Sequence, residues 1–139
     1  MKYIPLKIKY KKQFKGKTFT NIFKNTLPFN LLTGSIGLKA IENGLLTSKN
    51  FESLRQSIKK ILKKTGFIKF IGFPQTPKTK KPLEIRMGKG KGNVDHWVYK
   101  VQPGAMLCEI HTIYLSTALK ALRNAQFKLP IKTKIIKDK

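Results

Sequence analysis

Positive charge runs along nearly the whole chain with very little to oppose it. Thirty lysines and arginines face six aspartates and glutamates, the formal net charge is +24, and the first acidic residue is Glu42. Such self-repulsion destabilises a free compact domain, so we expect the chain to work beside a polyanion. Because the charge is spread along the chain, it favours a protein embedded among nucleic-acid segments over one that grips a single short site.

A membrane surface is the competing polyanion. Membrane binding would require a basic amphipathic helix with a large apolar face or a long apolar span. The longest uninterrupted apolar runs are only a few residues, so we expect no membrane partner. With 139 residues, of which 40% are hydrophobic, the chain is predicted to bury the core of one domain.

One segment alternates three glycines with two lysines behind an arginine and a methionine: Arg86, Met87, Gly88, Lys89, Gly90, Lys91 and Gly92. Glycine permits positive φ and a close backbone approach, and the cations attract phosphate. A Walker loop is excluded because Lys91 precedes a glycine and no hydroxyl follows, and a dinucleotide loop is excluded because no helix follows. The glycine content alone predicts a flexible solvated loop as well as it predicts a phosphate-binding loop. The charge of the rest of the chain favours phosphate.

Residues 1–17 are predicted to form a basic arm. The segment holds seven lysines and no acidic residue, with Tyr3, Tyr10 and Phe14 interleaved. It cannot bury enough surface to order itself, so we expect it to order on a polyanion and the core to fold without it. Its aromatic residues either stack on bases or anchor the arm to the core. Residues 18–139 are predicted to form a single domain.

Apolar periodicity and turn residues predict the elements of the domain. The first half is predicted to contain strands near 28–33 and 36–42, a turn at Gly44, a helix capped by Thr47 and ending at Gly66, and strands at 67–73 and 83–87. The second half is predicted to contain a hairpin of 96–101 and 106–110 around a type II turn at 102–105, a helix over 115–125, and an edge strand over 130–135.

Cys108 is the only cysteine, so the chain has no disulfide framework. A lone cysteine on a predicted strand usually packs as a small hydrophobic residue. Glu109 and His111 would share a strand face, but two ligands do not make a zinc site, and Cys108 points the other way. No cofactor or metal is expected.

Several motifs resemble those of the bacterial-type ribosomal protein L16 family, in order and spacing. They are Lys81-Pro82, the segment Arg86–Gly92, Trp97-Val98, Gln102-Pro103-Gly104 and the stretch from Lys128 to Lys134. The arm from Lys9 to Lys17, the stretch from Gly34 to Ala40 and Leu46-Thr47 also look like that family. The similarity covers nearly the whole chain.

The resemblance implies a non-enzymatic component of the large ribosomal subunit. It implies binding to large-subunit rRNA near the aminoacyl-tRNA site, with the glycine loop directed toward the tRNA and the peptidyl-transferase region, and other large-subunit proteins as neighbours. It also implies an α+β fold in two layers, with two helices on a largely antiparallel sheet, which agrees with the pattern of elements.

The predicted rRNA-binding residues are lysines from four segments. A solvated surface explains the helical ones equally well. They are Lys9, Lys11, Lys12, Lys15 and Lys17 in the arm, Lys59 and Lys63 at the end of the first helix, Lys78, Lys80 and Lys81 in a proline-rich segment, and Lys132 and Lys134 in the tail.

The chain departs modestly from the family. Phe67 and Gly72 stand where charged residues are common, Ser116 and Thr117 replace acidic residues, and lysine replaces most arginines. Only three of the thirty basic residues are arginine, which with plentiful Ile, Phe and Asn suggests an AT-biased organellar genome. Residues 1–17 lack the features of a presequence, which a protein encoded in the organelle would not need. Plastid members resemble the bacterial ones more closely, so we interpret the protein as mitochondrial and encoded in the organelle.

Two other functions compete. A free nucleoid-type protein that compacts nucleic acid explains the charge but gives no reason for a glycine-lysine loop between strands. A phosphate-handling enzyme would need a convergent acid, base or nucleophile set, which the sequence does not indicate.

Overall fold

The computed structural model describes residues 3–14, 30–33 and 35–137 of the chain. Within them the elements run in the order β1 (Ile36–Ala40), β2 (Gly44–Thr47), α1 (Ser48–Leu62), β3 (Gly66–Phe70), β4 (Thr76–Lys80), β5 (Asn93–Val101), β6 (Met106–Thr112), α2 (Leu115–Gln126) and β7 (Thr133–Lys137).

The strands form two antiparallel sheets. One has four strands in the order β3-β6-β1-β7, and the other has three in the order β2-β5-β4. The helices pack against each other, and α2 also packs on β1. Buried Ala118, Ala121 and Ala125 give α2 a face of small side chains, which allows the close approach to α1. The prediction of an α+β fold with two helices on antiparallel strands is confirmed.

Helix α1 begins where the sequence predicts. The Thr47 hydroxyl accepts a hydrogen bond from the Asn50 amide, and the Asn50 side chain accepts one from the Thr47 amide at 2.9 Å, a reciprocal cap that satisfies two backbone donors. The predicted end at Gly66 is wrong. The helix ends at Leu62 because Lys63 turns to φ 50°, which leaves Gly66 to begin β3.

Glu109 explains one error in the strand predictions. It is 1% exposed, and its carboxylate accepts hydrogen bonds from the amides of Leu32 at 2.8 Å and Thr33 at 3.1 Å and from the Thr33 hydroxyl at 3.3 Å. Of the predicted strand over 28–33, residues 28 and 29 lie outside the described residues, and 30–33 form no strand. The amides of Leu32 and Thr33 turn to this carboxylate instead of to a neighbouring strand.

The predicted hairpin of β5 and β6 is also wrong. The turn itself exists, since the Ala105 amide donates to the Gln102 carbonyl at 3.2 Å and Gly104 has a φ of 87°. However, the Gly104 amide donates to the Ala40 carbonyl at 2.7 Å, which ties the turn to β1. β5 therefore pairs with β2 and β4, whereas β6 pairs with β1 and β3. The turn connects the two sheets.

Other boundaries differ from the predictions. The strand predicted over 36–42 ends at Ala40, and Gly44 begins β2 instead of forming a turn. The strand predicted over 67–73 is β3 and ends at Phe70, while the predicted strand over 83–87 is absent, because that segment turns with the Ile85 amide bonded to the Pro82 carbonyl.

Four strands lie at sheet edges, β3 and β7 in one sheet and β2 and β4 in the other. The sequence missed β4, which contains Pro77; an edge strand tolerates proline, and β4 pairs only with β5. The predicted last strand is present and is an edge strand as expected, but it spans Thr133–Lys137.

Tyr3 belongs to the core. It is 7% exposed, and its ring centroid lies 5.7 Å from that of Phe51 and 5.9 Å from that of Phe70, with Tyr99 completing the cluster 6.0 Å from Phe51. Tyr10 and Phe14 are exposed. Of the two roles open to the arm's aromatic residues, Tyr3 takes the core anchor. That the core folds without the arm stays a prediction.

The hydroxyls of Tyr3 and Tyr99 are buried without a hydrogen-bond partner among the described residues. Burial raises the pKa of both phenols, and at Tyr3 the charge of Arg55 partly opposes the rise in pKa. Burial of these unpaired hydroxyls lowers the stability of the fold, and the packing of the two aromatic rings offsets that loss.

The anchoring of Tyr3 is testable by substitution. Tyr3→Ala should lower the free energy of unfolding by about 3 kcal/mol, because it removes a buried ring from the aromatic cluster. Tyr3→Phe keeps the ring and removes the unpaired hydroxyl, so it should be neutral or stabilise by up to about 1 kcal/mol. Chemical denaturation of the free protein measures both. A Tyr3→Ala variant as stable as the wild type would show that the arm is detached from the core.

Glu109→Gln should destabilise the fold by about 1–3 kcal/mol, because one of its two accepting oxygens becomes an amide that faces backbone donors. Glu42 provides a matched control, since its exposed carboxylate pairs with Lys132 at 3.0 Å. Glu42→Gln should leave the denaturation midpoint unchanged. If the two variants unfold at the same denaturant concentration, the buried carboxylate does not hold residues 30–33.

Candidate nucleic-acid interface

The glycine-lysine segment lies in a long loop of the β4–β5 hairpin. The two strands close with Lys80 opposite Asn93, and residues 81–92 connect them. From position 82 to position 91 every residue of this loop is exposed, with Leu83 at 97% and Met87 at 96%. The loop adds almost nothing to the core, so its composition is not explained by folding.

The glycines of the loop have two different roles. Gly88, Lys89 and Gly90 are three successive residues at positive φ, of 92°, 51° and 90°. A side chain at Gly88 or Gly90 would meet nothing within 4 Å, so glycine serves the backbone conformation there. At Gly92 a Cβ would lie 2.5 Å from the Lys80 carbonyl oxygen, so this glycine lets the loop close against β4.

The N-terminal arm meets the loop at Lys91. The Lys12 ammonium donates to the Lys91 carbonyl at 3.0 Å, and the Lys91 ammonium donates to the Gln13 carbonyl and lies 5.9 Å from the centroid of the Phe14 ring. Lys81 similarly donates to the Gly88 carbonyl inside the loop. We call residues 12–14 together with residues 81–92 the arm–loop surface.

The carboxylates of the described chain leave most of this surface unneutralised. Glu42 pairs with Lys132, Glu52 with Arg55, and Asp95 with His96, and in each case the hydrogen bond to the partner is the main cause that lowers the pKa of the carboxyl. Glu84 is the one acidic residue within the arm–loop surface. Lys12, Lys81 and Lys91 donate to backbone carbonyls, which do not neutralise their charge.

The structure brings together some of the predicted RNA-binding residues. Lys12, Lys81, Arg86, Lys89 and Lys91 belong to the arm–loop surface. Lys78 and Lys80 extend it along the exposed side of β4, while Lys9 and Lys11 are exposed farther along the arm.

The remaining predicted lysines are elsewhere. Lys59 and Lys63 lie at the end of α1 beside β3, whereas Lys132 and Lys134 lie at β7, the opposite edge of the four-stranded sheet. Lys132 is paired with Glu42. Lys15 and Lys17 lie outside the described residues.

Two features of the periphery escaped the sequence patterns. The contact between Lys12 and Lys91 joins positions 79 residues apart, and no local pattern indicates it. Phe67, on the edge strand β3, is 70% exposed although it is a large aromatic residue. Trp97 is half-buried and lies opposite Pro77 in the pairing of β5 with β4.

The predicted packing role of Cys108 is confirmed. Cys108 is fully buried, and burial, with a smaller contribution from the charge of Glu109, raises the pKa of its thiol to about 12. Among the described residues no three His, Cys, Asp or Glu side chains come together as a metal site. Neither of the two described helices is long and apolar enough to cross a membrane.

The comparison with protein families agrees with this arrangement. The family described as Ribosomal protein L16p/L10e matches residues 5–136, a range that includes the arm–loop surface and both helices. Proteins of this family are structural components of the large ribosomal subunit, where they bind rRNA and other ribosomal proteins, and they are not enzymes. The chain therefore belongs to the ribosomal protein L16p/L10e family.

Proposed function

We propose that the arm–loop surface binds large-subunit rRNA and helps to shape the aminoacyl-tRNA site near the peptidyl-transferase region. The observation that carries the proposal is the loop of residues 81–92, which is exposed from position 82 to position 91 and in which Lys81 and Lys91 donate to backbone carbonyls. Such a loop has little value for folding and suits a phosphate backbone.

Contact between the arm and the loop supports a single binding surface. Lys12 and Lys91 each use one donor on a carbonyl of the other segment, and an ammonium group carries three donors. Both therefore retain donors for phosphate oxygens. Holding like charges close together is unfavourable in the free protein, and a phosphate backbone between them would relieve the repulsion.

Within the loop, Arg86 is the residue that we assign to position-specific contact. Its guanidinium can donate two parallel hydrogen bonds to one phosphate, whereas Lys89 and Lys91 act as point charges. Lys91 also contacts the arm, so its substitution would disturb both segments. Lys89 is therefore the better control for the substitution of Arg86.

The rarity of arginine in the chain supports a mitochondrial ribosome as the setting. Three arginines among thirty basic residues indicate AT-rich coding, and organellar genomes commonly have that bias. Antibody detection of the protein in purified mitochondrial large subunits tests this placement, and its detection only in ribosomes of another compartment would contradict it.

A free nucleoid-type protein remains the second candidate because charge alone explains binding to any nucleic acid. Sedimentation through a salt wash separates the two functions. An assembled ribosomal protein stays with large-subunit rRNA, whereas a packaging protein follows DNA.

The free protein should bind structured RNA with a steep dependence on salt. Most contacts at the arm–loop surface are expected to be phosphate contacts, so the affinity should fall by about a thousandfold between 50 and 200 mM salt if six or more phosphates are neutralised. Filter binding across this range gives the slope of log affinity against log salt. A slope near zero would contradict the electrostatic basis of the proposal.

Arg86→Ala should slow aminoacyl-tRNA binding to reconstituted subunits more than Lys89→Ala or Lys91→Ala does, because only the arginine can form a forked contact. The midpoint of thermal unfolding of the free protein should not change, as is usual for an exposed side chain. Rapid-mixing measurements with labelled tRNA compare the three variants. If Arg86→Ala unfolds the protein while assembled particles bind tRNA normally, the loop is structural and the assignment is wrong.

A further inference from the structure

A groove with a volume of about 490 Å³ lies between the second half of α1 and the end of α2, and we call it the interhelical groove. None of its residues belongs to the arm–loop surface. Its volume is in the range of pockets that hold small ligands and is ample for a single nucleobase. It is lined by Ser57, Lys60 and Ile61 from α1, and by Asn124, Phe127 and Lys128 from α2 and the residues that follow it.

Helical spacing brings these side chains together. The three lining residues of α1 lie three and four positions apart, so they share one face of the helix. Beyond α2 the backbone stays helical at Phe127, and the last turn is tightened, because the Lys128 amide donates to the Ala125 carbonyl at 3.0 Å. In such a turn, side chains three residues apart eclipse each other, which places Phe127 beside Asn124. Since α1 packs against α2, the two faces border one groove.

Phe127 presents its ring to solvent in this groove. It is 87% exposed, whereas Ile61 on the facing helix is half-buried and packs against the core. A single exposed apolar side chain is common on protein surfaces and needs no function. The neighbours of Phe127 distinguish it, because they are two cations, an amide and a hydroxyl.

The charge in the interhelical groove is positive and unopposed. Lys60 and Lys128 are exposed and take part in none of the ion pairs found among the described residues. The one acidic residue of the two helices is Glu52, which pairs with Arg55. Glu52 lies five positions before the first groove residue of α1 and is therefore on a different side of the helix. An anionic ligand would meet no repulsion from either helix.

The polar side chains of the groove suit the edge of a base. Asn124 carries an amide with two donors and an acceptor, and Ser57 carries a hydroxyl that can donate and accept. A side-chain amide matches the adjacent donor and acceptor on the edge of a nucleobase. With an aromatic ring and two cations beside them, these groups match a ligand that joins a flat polar ring to phosphate.

We propose that the interhelical groove binds an unstacked nucleotide of single-stranded RNA, with the base on Phe127 and the adjoining phosphates on Lys60 and Lys128. The inference rests on the proposed function, which makes RNA the partner. Proteins recognise single-stranded RNA by stacking splayed bases on aromatic side chains beside cations. A base held in a duplex has both faces covered by its neighbours, so the groove would select an unpaired position.

Two other anionic partners fit the groove less well. An acidic peptide would pair with Lys60 and Lys128, but its carboxylates would not use the aromatic face of Phe127. The backbone of an RNA duplex would likewise contact the lysines and leave the ring in water. The exposed ring therefore favours a ligand with an open base.

The test compares two fluorescein-labelled octamers that share a phosphate backbone, octa-adenylate and an octamer with abasic sugars. Fluorescence anisotropy should show that the full-length protein binds octa-adenylate at least about fivefold more tightly than the abasic octamer, because stacking adds a base-dependent gain. Phe127→Ala should remove most of this preference and leave the affinity for the abasic octamer unchanged. The wild-type fold should persist in this variant, since the side chain is exposed, and circular dichroism checks it.

Phe67→Ala is the matched control. It removes another exposed phenylalanine, which lies on β3 outside the interhelical groove, so the preference for octa-adenylate should equal that of the wild type. Two further variants separate stacking from apolar bulk. Phe127→Trp should keep the preference, whereas Phe127→Leu should lose most of it, because leucine has no aromatic face.

A pair of lysine substitutions tests the phosphate contacts. Lys60→Gln combined with Lys128→Gln should weaken the binding of both octamers at least about threefold more than Lys59→Gln combined with Lys63→Gln. The two double variants remove the same charge, and Lys59 and Lys63 lie outside the interhelical groove. A difference between them therefore reports position and not net charge.

Four outcomes would overturn the groove assignment. They are equal binding of both octamers by the wild type, equal loss of preference in Phe127→Ala and Phe67→Ala, equal effects of the two lysine pairs, and tighter binding of octa-aspartate than of octa-adenylate that depends on Phe127. None of these affects the proposed function, which is tested separately by sedimentation with the large subunit.

Discussion

Burial of strand β6 on both of its faces is the constraint on which the rest of the structure depends. Residues 106–110 are all buried, so one face of the strand packs under the helices and the other must be covered by another part of the chain. Residues 31–33 provide that cover, since Leu31 approaches Gly37 and the amides of Leu32 and Thr33 bond to Glu109. A buried carboxylate in a chain of net charge +24 is thus used to hold a segment without regular structure.

Several lysines lie on the edge strands of the two sheets. Lys78 and Lys80 are on β4, Lys69 is on β3 and Lys134 is on β7, and all three strands are the outermost of their sheets. An edge strand has unpaired backbone groups, and lysines there keep copies of the protein from pairing. Under the proposed function the same lysines would also meet phosphate.

The glycine-lysine loop and the arm show how a surface is assembled from distant segments. Tyr3 fixes the start of the arm in the aromatic cluster, and Lys12 to Phe14 then reach Lys91. The arm is therefore attached at the core and near the loop, which limits where its lysines can lie. This arrangement gives a reason for the order of aromatic and basic residues in the first fourteen positions.

The sequence alone determined the two helices, the type II turn, the cap at Thr47 and the exposed loop, because each depends on residues close together in the chain. Apolar spacing places α1 and α2, and the glycines at positions 88 and 90 give the loop its backbone. The family could also be identified, because its motifs occur in this sequence in the same order and at the same spacing.

Only the tertiary structure decided which strands are neighbours. The alternation of β5 and β6 around a turn predicted a hairpin, but alternation reports which face of a strand is buried and not which strand lies beside it. β4 was missed because proline is tolerated at an edge, and whether a strand is an edge is a property of the sheet. Likewise, Tyr3 in the core, Glu109 beneath residues 32 and 33, and the meeting of Lys12 with Lys91 depend on contacts between positions more than 40 residues apart, which no local pattern encodes.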